Sequence, residues 1–240
     1  MNIHSKFLTE KQGLCQSPAQ GLLLAQTAKI RKGMLTMLLE IEPERPKLRK
    51  IRQVVQAIKD GELVVYPTDT CYGIGCDIFN KKAIEKVYRL KNIPKTTPFS
   101  FVCYDLSDIS RYARVSDQAY RILKKFLPGP YTFILEGSRN VPKMMLTKRK
   151  TVGIRIPDHP ICLAIVKELG NPLISTSATD PKGNIIADPR EAAKIYGKQV
   201  AIVVDSGIIM PEPSSVISLV EEDEPEVIRC GKGDVSVFES

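Results

Sequence analysis

The chain has 240 residues, of which 43% are hydrophobic and 26% are charged. This is the composition of a soluble globular protein, and it excludes a fibrous or wholly disordered chain. Apolar runs are far shorter than the roughly 20 residues of a membrane helix, so no membrane partner is expected. The net charge of +8 favours an anionic partner, but residues 1–33 carry +4 of it. The positive charge on the rest of the chain does not show whether the partner is a nucleotide or RNA, because a mild positive charge also serves solubility alone.

The first 36 residues differ from the rest because their polar residues follow no sustained period. We expect residues 1–36 to be a poorly ordered or leader segment, followed by one domain over residues 37–240. The six cysteines form no CxxC pair and the chain has only two histidines, so neither a disulfide framework nor a metal site is expected. Four cysteines in apolar surroundings are interpreted as small core residues, and the cytoplasm is the expected location. They are Cys71, Cys76, Cys103 and Cys162.

Short runs of strand-forming residues alternate with amphipathic segments along the chain. Strands are predicted at 37–41, 63–66, 99–103, 131–136, 151–156, 172–177, 200–205, 215–220 and 227–229. Helices are predicted at 47–59, 81–90, 107–112, 116–127, 160–169 and 188–197. This alternation predicts an α/β protein, and the short connections within 116–135 and 200–229 indicate that some neighbouring strands are antiparallel.

Residues 63–77, LVVYPTDTCYGIGCD, form the most informative stretch. The strand that begins it ends at Pro67, and Thr68, Asp69 and Thr70 follow as small polar side chains. The glycines at 73 and 75 allow the backbone either to fold tightly or to pass close to a ligand. Polar residues at the mouth of a buried strand are typical of ligand sites in open α/β sheets. An ordinary strand-to-turn junction explains the same pattern, so both interpretations stay open.

Hydroxyl-bearing residues occur at several predicted strand ends, and two arginines lie within predicted strands. Buried arginines such as Arg155 need an anion, which is either a protein carboxylate or a ligand. Hydroxyls and arginines that converge at strand ends suit carboxylate and phosphate groups, so a nucleotide or amino-acid site is predicted. No P-loop, GxGxxG or GxSxG motif occurs, and His159 is interpreted as a loop or helix-start residue.

Six motifs, in fixed order over about residues 37–235, resemble those of the YrdC-like family of threonylcarbamoyl-AMP synthases. They are YPTDTCYGIGCD, KNIPKTTPF, LPGPYTFIL, TVGIRIPDHP, ISTSAT and VIRCGKGD. The resemblance implies a twisted open mixed sheet with flanking helices. It also implies an enzyme that joins L-threonine, bicarbonate and ATP, with Mg²⁺ expected, into threonylcarbamoyl-AMP and pyrophosphate. This product serves the formation of threonylcarbamoyladenosine on tRNA.

The resemblance also gives roles to individual residues. Thr68, Arg155 and Ser177 match substrate-binding positions, with Arg155 facing the substrate carboxylate. Lys91 matches the first residue of the family's KxR signature, which faces the triphosphate, and Lys91 and Ser177 are the catalytic candidates. The nucleotide-binding candidates are Lys91, Thr97, Thr179, Ser214, Ser215 and Arg229.

The chain departs from the synthase pattern at three positions. Ile93 replaces the arginine of KxR, Thr179 replaces the asparagine of SxN, and Val102 stands where synthases often carry histidine. A lost charge-assisted phosphate contact costs roughly 1.5–3 kcal/mol, unless Lys95 replaces it. The pattern resembles the YciO branch of the family.

Two alternatives to a synthase therefore stay open. One is a protein that binds nucleotide or RNA (tRNA or double-stranded RNA), or acts on threonylcarbamoyl products, without efficient adenylation. The other is a protein-docking surface. The basic cluster at 148–150 is interpreted as a solvated loop rather than an RNA contact.

Overall fold

The computed structural model describes residues 36–145, 150–221 and 224–239. The expected leader therefore lies outside the described residues except for Thr36, and so do Lys148 and Arg149 of the basic cluster. The longest described helix has 12 residues, and none of the described helices could cross a membrane.

The described residues contain ten strands, six α-helices and three short 3₁₀ helices. The strands are β1 (Met37–Glu40), β2 (Val64–Tyr66), β3 (Gly73–Asp77), β4 (Ser100–Val102), β5 (Tyr131–Glu136), β6 (Thr151–Arg155), β7 (Leu173–Ser177), β8 (Ile202–Asp205), β9 (Ser215–Ser218) and β10 (Glu226–Arg229). The helices are α1 (Leu48–Lys59), α2 (Lys81–Lys91), α3 (Leu106–Tyr112), α4 (Asp117–Phe126), α5 (Pro160–Leu169) and α6 (Pro189–Tyr196). The 3₁₀ helices are Lys143–Met145, Gly197–Gln199 and Ser236–Phe238.

All ten strands form one twisted open sheet in the order β1-β8-β2-β3-β7-β4-β6-β5-β9-β10. Four neighbouring pairs are parallel: β1 with β8, β8 with β2, β4 with β6, and β5 with β9. The other five pairs are antiparallel. The predicted fold class, a twisted open mixed α/β sheet with flanking helices, is confirmed.

Of the two interpretations of the glycines at 73 and 75, the tight turn is wrong, because both residues belong to strand β3 between β2 and β7. A Cβ atom on Gly75 would lie 2.6 Å from Cε1 of Tyr66 and 2.9 Å from the carbonyl oxygen of Ile174. Glycine is needed there because the strand passes directly beside the buried ring of Tyr66. The glycines thus permit close strand packing rather than a chain reversal.

Three helices begin with the side-chain capping bonds that the sequence predicts. The side chains of Asn80, Ser116 and Asp188 accept hydrogen bonds from the first turns of α2, α4 and α6, at 3.0, 3.2 and 2.8 Å. Each such cap stabilises its helix by about 1 kcal/mol. His159 precedes α5 as its N-cap residue, as predicted, but its side chain makes no capping bond.

The main core lies on one face of the sheet, where alternate strand residues pack against helices α2, α3, α4 and α6. Ile74, Phe101, Phe133 and Ile154 are fully buried in it, and burying such a side chain contributes about 1.5–3 kcal/mol. Helices α1 and α5 pack on each other, and α1 also packs on β2 and β3. The four cysteines predicted to be core residues are buried.

Candidate functional site

A cavity of about 380 Å³ lies against the middle of the sheet, and strand residues form most of its wall. Thr68, Arg155 and Ser177, which the sequence analysis assigns to one substrate site, all line it. Arg229 lines it as well, so the wall carries two guanidinium groups. Its hydroxyl groups include those of Thr68, Ser100, Thr132, Ser175, Ser177 and Ser214. Such a wall suits a ligand with carboxylate or phosphate groups.

Small residues on adjacent strands make room for the cavity. Ser175 pairs with Ser100, Ser100 pairs with Gly153, and Gly153 pairs with Ile134, so the four lie in one row across the sheet. Directly paired residues share a face of the sheet, and all four line the cavity. A Cβ on Gly153 would lie 3.2 Å from Ser100 Oγ and 3.3 Å from Thr132 Cγ2. A larger residue at position 153 would therefore press on the cavity wall.

The loop after β2 is fixed by the hydroxyl of Thr68, which is 2% exposed. Thr68 Oγ1 donates a hydrogen bond of 2.6 Å to the carbonyl oxygen of Cys71. The same oxygen accepts bonds of 3.2 Å from the backbone N–H groups of Thr70 and Cys71. The strand-to-turn interpretation of this stretch is confirmed. The ligand-site interpretation stays a prediction, and Thr68 and Cys71 of this turn line the cavity.

The anion that accompanies Arg155 is a protein carboxylate. Nη2 of Arg155 lies 2.6 Å from Oδ1 of Asp69, and the two side chains are only 8% and 10% exposed. Nη1 and Nη2 also donate to Oγ1 of Thr70, both at 3.2 Å. Nζ of Lys232 donates to the backbone carbonyl of Asp69 at 2.6 Å. The guanidinium is thus held in place while it still faces the cavity.

Lys91, at the end of α2, contacts the residues of the SxN-like signature. Its Nζ donates to the carbonyl oxygen of Ser177 at 2.9 Å and also to Oγ1 of Thr179. Burial lowers the pKa of the Lys91 ammonium group below its usual value. The Oγ of Ser177 lies 3.5 Å from Sγ of Cys71. The structure therefore brings Lys91, Ser177 and Thr179 together. Of these three, only Ser177 is among the described residues that line the cavity.

The loop after Lys91 supplies no second cation at this point. Ile93, which replaces the family's arginine, is half-buried and packs against the main core. Lys95 lies 3.3 Å from Oε1 of Glu85 in an exposed ion pair, so it does not take the place of that arginine here. The backbone carbonyl of Thr97 accepts a hydrogen bond from Tyr88 at 3.0 Å. Thr97 does not line the cavity, although its neighbour Pro98 does.

The three nucleotide-side candidates near the chain end have different surroundings. Ser214 Oγ lies 2.9 Å from Thr132 Oγ1 in the cavity wall. Arg229 donates to the carbonyl oxygen of Ser214 through Nε at 3.1 Å and through Nη2 at 2.7 Å. Ser215 is fully buried, and its Oγ donates to Gly233 and accepts from the N–H of Gly231. Ser215 therefore fixes the chain that follows β10, whereas Ser214 and Arg229 face the cavity.

Several wall residues are not among the residues predicted from the sequence, notably Cys71, Ser100 and Gly153. The alternation of side chains in TVGIRI could have identified Thr151 and Gly153 as wall residues, since they share one face of β6 with Arg155. No carboxylate occurs among the described wall residues. Because Mg²⁺ is usually held by one or two carboxylates together with phosphates, these residues do not fit a protein-held Mg²⁺ site.

The comparisons with known proteins agree with this fold. The Sua5/YciO/YrdC family model, described as telomere recombination, matches residues 56–231. The chain is 40% identical over 200 residues to the uncharacterized protein YciO of Escherichia coli K12, covering 82% of this chain and 97% of that protein. It is 36% identical over 191 residues to a putative threonylcarbamoyl-AMP synthase of Methanocaldococcus jannaschii, covering 79% of this chain and 88% of that protein.

Two solved structures show the same architecture. The crystal structure of E. coli YciO superposes with a TM-score of 0.80 at 39% identity, covering 85% of this chain and 99% of that chain. Pyrococcus abyssi Sua5 complexed with L-threonine superposes with a TM-score of 0.78 at 26% identity, covering 85% of this chain and 60% of that chain.

The fold and the cavity define an open α/β-sheet protein whose sheet carries a site lined with hydroxyls and arginines. The matches over most of the chain identify its family. The chain belongs to the Sua5/YciO/YrdC family and is of the YciO type.

Proposed function

We propose that the protein is an L-threonylcarbamoyladenylate synthase-like enzyme, which joins L-threonine, bicarbonate and ATP to threonylcarbamoyl-AMP and pyrophosphate. One observation carries the proposal: Thr68, Arg155 and Ser177 line the same cavity as Ser214 and Arg229. A single cavity with two arginines has room for an amino-acid carboxylate and a phosphate group together. L-threonine in the Sua5 structure of P. abyssi supports the same ligand class.

The chemistry assigned to the cavity needs no side-chain nucleophile. In the proposed reaction, the amino group of threonine and bicarbonate first form a carbamate with loss of water. A carbamate oxygen then attacks the α-phosphorus of ATP, and the bond from that phosphorus to its bridging oxygen breaks as pyrophosphate leaves. Catalysis of such a step consists mainly of positioning anions and of stabilising the charge that develops. Arg155 would hold the threonine carboxylate, Arg229 would face the nucleotide phosphate, and Lys91 would approach the leaving pyrophosphate. We assign no residue to Mg²⁺, which would arrive bound to ATP.

The test combines binding and turnover. Isothermal titration measures the affinity for L-threonine and for ATP with Mg²⁺, and pyrophosphate release is measured with and without bicarbonate. The proposal expects release that depends on all three substrates and is lost in Arg229→Ala. It is also expected to be lost in Arg155→Ala at a temperature at which circular dichroism shows that variant to be folded. A Lys95→Ala variant is the matched control, because Lys95 forms an exposed ion pair away from the cavity. Absence of pyrophosphate release in the presence of all substrates would refute the proposed synthase.

A second candidate function is favoured by the surroundings of Lys91. Its ammonium group already donates to Ser177 and Thr179, Ile93 packs into the core, and Lys95 pairs with Glu85. A bound triphosphate would therefore contact one lysine where two cations are expected. The missing contact would weaken its binding by roughly 1.5–3 kcal/mol. This favours a protein that acts on threonylcarbamoyl products or binds nucleotide or RNA without efficient adenylation.

The second candidate is distinguished by its ligands. It predicts that a threonylcarbamoylated nucleoside or RNA binds more tightly than ATP, and that no pyrophosphate is released. For RNA, tRNA and double-stranded RNA are compared at several salt concentrations, since phosphate contacts weaken steeply with salt. Tight binding of ATP and L-threonine with efficient turnover would exclude it.

A further inference from the structure

Arg155 contacts both the cavity and an acidic side chain that lies outside it. Arg155 is part of the cavity wall, whereas Asp69, its ion-pair partner, is not among the described residues that line the cavity. Asp69 therefore reaches the guanidinium from the side of the loop after β2. Lys232 holds this loop by its bond to the Asp69 carbonyl oxygen at 2.6 Å.

The guanidinium keeps one N–H group for a ligand although its charge is already compensated. Of its five N–H groups, one bonds Asp69 and two contact Thr70 Oγ1. Nε of Arg155 and Oδ2 of Asp69 are buried, and neither has a hydrogen-bond partner among the described residues. Because Nε is buried, a ligand at Arg155 would meet at most the second N–H of Nη1. It would also meet little net positive charge, because Asp69 lies 2.6 Å from the same guanidinium.

We propose that Asp69 is a specificity-determining residue that acts through Arg155. Its carboxylate offsets the guanidinium charge, so that a simple anion such as acetate or inorganic phosphate binds there weakly. A ligand with a carboxylate binds only when other parts of the cavity hold the rest of it, as they would hold an amino acid. This inference rests on the proposed function in one respect, namely that Arg155 receives an amino-acid carboxylate. Discrimination of this kind works by disfavouring the wrong ligand.

The test removes the charge of Asp69 and keeps its shape. Asp69→Asn retains an oxygen that can accept from Arg155, while Glu136→Gln removes one acidic charge from an exposed pair with Arg114. Both variants are titrated calorimetrically with sodium acetate and inorganic phosphate at constant ionic strength. We expect Asp69→Asn to bind acetate at least about tenfold more tightly than the wild type, since the uncompensated guanidinium attracts it. Glu136→Gln is expected to match the wild type, and Asp69→Asn with Arg155→Gln is expected to lose the gain.

Three results would overturn the inference: no gain in Asp69→Asn, an equal gain in Glu136→Gln, or a gain that persists without Arg155. Circular dichroism checks that each variant is folded. If Asp69→Asn does not fold, the wild type is titrated with acetate while the Arg155 Nε–H resonance is followed by NMR. The inference expects little movement, and a saturating shift contradicts it. Failure of the wild type to bind L-threonine would count against the proposed function, while the acetate comparison would still decide the role of Asp69.

Discussion

Replacing Arg155 by alanine should destabilise the fold strongly, apart from any effect on ligand binding. The substitution would leave the Asp69 carboxylate, which is 10% exposed, without its partner at 2.6 Å. Breaking a buried ion pair by removing one member costs about 3–5 kcal/mol, because the remaining charge stays desolvated. In a domain of this size, 1 kcal/mol shifts the melting temperature by about 2–4 °C, so a decrease of about 6–20 °C is expected.

The assay is thermal and urea unfolding of Arg155→Ala beside the control variant Arg114→Ala. Arg114 pairs with Glu136 at 3.2 Å, but the two side chains are 75% and 53% exposed. Loss of such a surface pair costs about 0–1 kcal/mol. The comparison therefore measures what burial adds to an otherwise similar arginine–carboxylate pair.

A double variant separates the stability cost of the unpaired Asp69 charge from the cost of the lost packing. Asp69→Asn combined with Arg155→Ala removes the carboxylate charge as well, so it should be more stable than Arg155→Ala alone, by at least about 1 kcal/mol. The reasoning is refuted if Arg155→Ala costs no more than Arg114→Ala, or if the second substitution brings no recovery.

Two further substitutions test the other parts of the site, and a third tests His159 at the start of α5. Lys91→Met removes the donor to Ser177 and Thr179 and should weaken ATP binding ten- to over a hundredfold with little change in L-threonine affinity, as measured by calorimetry. Ile93→Arg should raise ATP affinity about tenfold or more if the site is a synthase site with a weakened triphosphate clamp, and an unchanged affinity would contradict that expectation. Burial lowers the pKa of His159 from 6.5, so the unfolded chain takes up this proton first as the pH falls. The stability that depends on neutral His159 is therefore present above about pH 6.5 and lost below it, and urea unfolding of His159→Gln should show a smaller loss on acidification.

The α/β class and most elements could be predicted because the strand runs are apolar and the helices carry clear stripes and caps. Strand β3 could not, since its glycines look like a turn in the sequence and only Tyr66 on the neighbouring strand explains them. The order of the strands in the sheet could not be predicted from the sequence either. It depends on pairings such as Met37 with Ile202, which no local pattern reveals.

The candidate site was predictable in its members more than in its geometry. Thr68, Arg155 and Ser177 do line one cavity, which the motif order had implied. The sequence does not show whether the carboxylate beside Arg155 belongs to the protein or to a ligand, because Asp69 and a ligand carboxylate would both compensate the guanidinium charge. It also could not show that Ser215 is engaged by the backbone of Gly231 and Gly233, whereas its neighbour Ser214 faces the cavity.

The strand order has a consequence for biosynthesis. Strand β2, which precedes the loop that contains Thr68, lies beside β8, and β5 lies beside β9. A nascent chain released from the ribosome only as far as residue 200 would lack one of the two neighbours of each of these strands, namely β8 and β9. Because loop-closure entropy must be overcome before such distant pairings form, folding should be slow and should finish only after β8 and β9 have been translated. Truncation from that end would then expose unpaired strand edges in the middle of the sheet and favour aggregation.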